Sequence, residues 1–96
     1  MKYYTGRRSM KDMFAEYVSK VKAIKVMQNR IAELEKNIDA LDEGIEELDD
    51  AGLDRTVEIL CKTRNSLNSE RLELEIHICK LRLWIAEFEL ARQLAR

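Results

Sequence analysis

The sequence predicts an all-α chain, an antiparallel two-helix coiled-coil hairpin, and three observations predict it. The 96 residues hold no proline, only three glycines (Gly6, Gly44, Gly52) and 36% charged residues. That is the composition of long helices; a sheet would need more turn residues. Apolar residues recur at alternating steps of three and four along nearly the whole chain, and the two tracks they form match each other layer by layer when one is reversed.

The first track runs Met10, Met13, Tyr17, Lys20, Ile24, Met27, Ile31, Leu34, Ile38, Leu41, Ile45 and Leu48, with Lys20 as its one irregular member. Written as a heptad, Ile24, Ile31, Ile38 and Ile45 fall at a, while Met27, Leu34, Leu41 and Leu48 fall at d. Ser9 stands where its hydroxyl can cap this helix, and Asp12 supplies negative charge to the first turn. Gly44 costs about 1 kcal/mol relative to alanine inside a helix, but Ile45 and Leu48 keep the register beyond it.

The second track reads Val57, Leu60, Arg64, Leu67, Arg71, Leu74, Ile78, Leu81, Ile85, Phe88, Arg92 and Ala95. Its d positions are all apolar and three of its a positions are arginine. Between the tracks, Gly52 can take the left-handed conformation that closes a helix, and Asp54 can cap the next. The expected plan is one helical-hairpin domain over 1–96: an N-terminal segment at 1–8, a helix at 9–50, a turn at 51–54 and a helix at 55–95. So short a link forces the helices antiparallel.

The pairing can be tested by arithmetic, because residues facing each other across an antiparallel seam have numbers that add to a constant. Leu48 with Val57, Ile45 with Leu60, Ile38 with Leu67, Ile31 with Leu74, Met27 with Ile78, Ile24 with Leu81 and Tyr17 with Phe88 each add to 105. The same rule sets Arg64 opposite Leu41 and Arg71 opposite Leu34. These guanidinium groups must reach past the seam to water or to a carboxylate such as Asp42 or Glu35. Arginine there favours a slim two-helix seam at mid-length, since a closed four-helix core would bury the charge.

A further stripe occupies the later half of the second helix: Leu72, Ile76, Cys79, Leu83, Ala86 and Leu90, at positions b and f. At about 100° per residue it lies nearly opposite the a/d face. The first helix can cover only one of these faces and is itself broadened near the same end by Phe14, Val18 and Val21. The uncovered face therefore predicts a protein interface. A second copy is the first candidate, giving a homodimer with a four-helix arrangement at the end holding both termini. A different protein is the second candidate, and the N-terminal segment folding back is the third. Trp84, at position g beside the seam, reads either as the edge of the core or as an anchor for a partner.

Charge is segregated along the rod. Residues 1–30 carry eight Lys/Arg against two Asp/Glu (net +6), residues 31–60 two against eleven (net −9), and residues 61–96 seven against five (net +2). A solvated surface is the ordinary meaning of such runs on coiled coils. Two sharper readings stand beside it. The basic end (Lys2, Arg7, Arg8, Lys11, Lys20, Lys22, Lys25, with Tyr3 and Tyr4) is a candidate nucleic-acid contact. The acidic tip (Asp39, Asp42, Glu43, Glu46, Glu47, Asp49, Asp50) is a candidate docking surface that imitates a phosphate backbone.

The search for chemistry points away from an enzyme. His77 is the single histidine, so paired-histidine metal motifs are impossible, and phosphate loops, nucleophile elbows and CxxC are missing. Glu70, Glu73 and Glu75 lie near His77, but a helix surface without a pocket neither holds a substrate nor excludes water. Cys61 and Cys79 are eighteen residues apart on one helix, roughly 27 Å at 1.5 Å per residue. They cannot bridge within a straight helix, and they read as reduced small fillers, with an intermolecular disulfide as the alternative. With no apolar leader and no membrane-spanning stretch, a cytoplasmic chain is expected.

The function expected from these features is a non-enzymatic protein-interaction module, acting as adaptor, assembly factor or inhibitor, with no cofactor and no small-molecule substrate. The alternatives are a nucleic-acid-associated accessory protein using the basic end, and a small phage-type antagonist whose acidic tip mimics nucleic acid.

Overall fold

The structure, a computed structural model, describes residues 9–95. Two helices of equal length follow each other, α1 (Met10–Asp50) and α2 (Asp54–Leu94), each of 41 residues. They fold back on one another as a rod measuring 65 × 24 × 17 Å. At 1.5 Å per residue a 41-residue helix is about 62 Å long, so the rod is the length of one helix.

α1 begins as its cap demands. Ser9 is extended, and its Oγ accepts the Asp12 backbone N–H at 3.1 Å, satisfying one of the free donors of the first turn. At the other end Gly52 has φ +76°, which lets the chain close α1 with two reversed bonds. Its N–H donates to the Asp49 carbonyl, and the Leu53 N–H donates to the Leu48 carbonyl, both at 3.0 Å. This is the Schellman closure, in which a left-handed residue feeds the last free carbonyls.

Asp54 does not cap α2, contrary to its sequence reading. The chain turns so tightly after Gly52 that Leu53 already stands at the capping position, its carbonyl accepting the Val57 N–H at 3.1 Å with no side-chain cap. Asp54 is instead the first helical residue, where its charge still suits the N-terminal end of the helix dipole. α2 consequently begins one residue before the expected 55, and it ends at Leu94, one residue before the expected 95, with Ala95 as its C-cap.

The seam follows the expected layers. Tyr17 and Phe88, numbers adding to 105, stack at 5.2 Å between ring centroids. Among the described residues the buried side chains are Leu34, Ile78 and Phe88, all at a or d, and most other a and d positions are half-buried. Arg64, set opposite Leu41, reaches past the seam to Asp42 of α1 at 3.1 Å, one of the carboxylates that the sequence offers it. Arg71 differs. Its guanidinium turns along its own helix to Asn68 Oδ1 (2.7 Å from Nη2) and Glu75 (2.9 Å), and does not bond Glu35. Partners one turn away on the same helix need no reach across the seam.

Candidate interaction surface

α2 carries two apolar faces because one 41-residue helix holds two interleaved heptad tracks. The a/d track is consumed by α1. The b/f track is left outside: Leu72, Ile76, Leu83 and Leu90 are 47%, 56%, 62% and 56% exposed, and Cys79 and Ala86 are exposed between them. Cys79 therefore does not serve as an interior filler, whereas Cys61 is half-buried; both are free thiols. On α1, Phe14 (47%) and Val21 (43%) are also exposed, and Val18 is half-buried.

The end of the rod near the helix termini holds an aromatic run that the heptads alone do not reveal. Phe14 lies 5.8 Å from Tyr17, and Trp84 stacks on Phe88 at 5.4 Å with the rings 8° from parallel. Lys20 Nζ sits 4.9 Å from the centre of the Trp84 ring and 3.4 Å from Glu16. Lys20, the irregular member of the first track, is thus placed where its ammonium meets an aromatic face and a carboxylate. A signal existed for this, since 20 and 84 add to 104, one short of the layer value. Trp84 is half-buried and stacked on Phe88 beside the seam.

Across the middle, Arg30 bridges the helices. Its Nε donates to Glu70 Oε2 at 2.8 Å, and Nη1 donates to Glu33 at 2.7 Å. The hydrogen bond to Glu70 raises the guanidinium pKa above its ordinary value, and the same bond holds the Glu70 carboxyl below the usual carboxylate value. Both residues occupy g positions flanking the seam, the positions that set orientation in coiled coils.

The candidate charged surfaces are solvent-facing where described. Lys11, Lys22 and Lys25 are exposed on α1 near its start, while Arg7 and Arg8, with Lys2, Tyr3 and Tyr4, lie outside the described residues. Asp42, Glu43, Glu46, Glu47, Asp49 and Asp50 are exposed along the last turns of α1. Asp42 is partly spent on Arg64, and the others carry no ion pair among the described residues.

His77 is exposed and lines a shallow groove with Glu73, Lys80, Lys20 and Trp84. Among the described residues no cluster of three or more His, Cys, Asp or Glu is placed to hold a metal, and no helix is long and apolar enough to cross a membrane. Comparison of the chain with protein-family models, with curated proteins and with solved structures finds no match in any of the three.

Proposed function

We propose that this chain is a non-enzymatic protein-interaction module, an adaptor, assembly factor or inhibitor acting in the cytoplasm through the surfaces of its helical hairpin. The observation that carries the reading is the unpartnered row on α2, where four large aliphatic side chains stand about half exposed on the face turned away from α1. Covering the remaining half of each is worth about 1 kcal/mol per side chain. A contiguous apolar strip rimmed by charge is the usual mark of a contact site.

Leu83, the most exposed of the four, supplies the test. Leu83→Asp should leave helicity by circular dichroism near wild type and weaken association, with itself or with a captured protein, by at least tenfold. Unchanged association contradicts the reading. Loss of the fold would instead assign the stripe to the chain's own core.

A second reading draws on the exposed Lys11, Lys22 and Lys25, which suit phosphate contacts at the basic end. It requires salt-dependent binding to DNA or RNA, and a low-salt titration without a shift removes it.

A further inference from the structure

We infer that the occupant of the α2 stripe is a second copy of this chain, docked antiparallel about a two-fold axis at the level of Leu81. This rests on the interaction reading above and names its partner. The stripe is its own complement when reversed: Leu72 with Leu90, Ile76 with Ala86 and Cys79 with Leu83 each add to 162. An isologous contact needs this property, each residue meeting in the other copy the one that it also faces in return. Shifting by one heptad in either direction leaves only four of the six residues in matched layers, so the register at 162 buries the most apolar surface. It overlaps α2 from residue 68 to residue 94, about 40 Å.

The charges beside the stripe fit the same register. Within the hairpin, Arg30 and Glu70 add to 100, five below the layer value, and bond at 2.8 Å. That is the spacing long flanking side chains span in this protein. Five below 162 pairs Glu75 with Arg82 of the second copy, and five above pairs Lys80 with Glu87 of the second copy. Symmetry doubles both pairs. Lys80, Arg82 and Glu87 make no ion pair among the described residues of their own chain, and Glu75 already accepts from Arg71. Near the axis the two Lys80 and two Arg82 groups face each other, and each is drawn outward to its carboxylate. A parallel pair would lay the two acidic turn ends, net −9 each over residues 31–60, side by side. The antiparallel pair sends them to opposite ends of the assembly.

Lys80→Glu, Glu87→Lys and the double swap distinguish the arrangements, read by sedimentation equilibrium with helicity as the control for folding. The antiparallel dimer predicts that each single change weakens dimerisation about tenfold, since two symmetric pairs turn repulsive, and that the double swap restores it. A parallel dimer pairs Lys80 with Glu75 and Glu87 with Arg82, so the double swap would weaken it further, which overturns the orientation. A wild type that stays monomeric at high concentration overturns the second copy while leaving the stripe open to a different protein. A wild-type dimer that Leu83→Asp fails to weaken overturns both the inference and the reading beneath it.

Discussion

Leu34 has no exposed surface, although the layer rule sets it opposite Arg71. Arg71 is only a quarter exposed and spends its guanidinium on Asn68 and Glu75 of its own helix. The charge therefore leaves the seam sideways, and an apolar stem remains at the layer facing Leu34. An arginine at a is in this way a covering residue as well as a charged one. Leu34→Ala should lower unfolding free energy by about 2–3 kcal/mol, the lower part of the range for buried leucine because a two-helix seam can partly collapse. Urea denaturation measures it, and a loss below about 1 kcal/mol would show that Arg71 does not seal the layer.

At the scale of the elements, the two described glycines have opposite meanings. Gly52 holds φ +76° with open space around its missing Cβ, so alanine there meets backbone strain and no clash. Gly44 is an ordinary helical residue with equally open space. Gly52→Ala should destabilise the hairpin by about 1 kcal/mol, and Gly44→Ala should stabilise it by a similar amount. Thermal melts of the pair check the sign, and equal shifts would contradict the assignment of the turn.

The helices, the turn glycine and the facing layers were legible in the sequence because each rests on a periodic or local rule, as Tyr17 over Phe88 and Gly52 show. What was not legible depended on side-chain conformation. The choice of Arg71 between Glu35 and Glu75, and the capping position falling on Leu53 rather than Asp54, turn on rotamers and on one residue of turn tightness. The Arg30–Glu70 bridge escaped notice because layer arithmetic follows the a and d positions and passes over g. On the candidate surface, the outward stripe could be read from spacing; for Trp84 and Lys20 the sum of 104 brings the two residues near each other, but the stacking itself depends on rotamers.

The whole molecule is a thin rod with little interior: three buried side chains among the described residues, and a second apolar row on its outer face. So small a core offsets little of the conformational entropy lost on folding, and burying the outer row against another copy, as proposed, would enlarge that core. In this account the same heptad logic operates twice in α2, once inward against α1 and once outward against a second α2. The proposed assembly would be about 85 Å long, from two helices of about 62 Å that overlap over about 40 Å, against 65 Å for one hairpin, and would carry an acidic turn at each end.

A distance between the two copies tests this most directly. With Cys61 and Cys79 replaced by alanine and spin labels attached at Lys62→Cys, the antiparallel dimer places the labels about 60 Å apart, from nineteen residues on each side of the axis at 1.5 Å per residue. A distance of about 10–20 Å would show parallel packing, and no inter-chain distance at high concentration would show that the outer row of α2 does not meet itself.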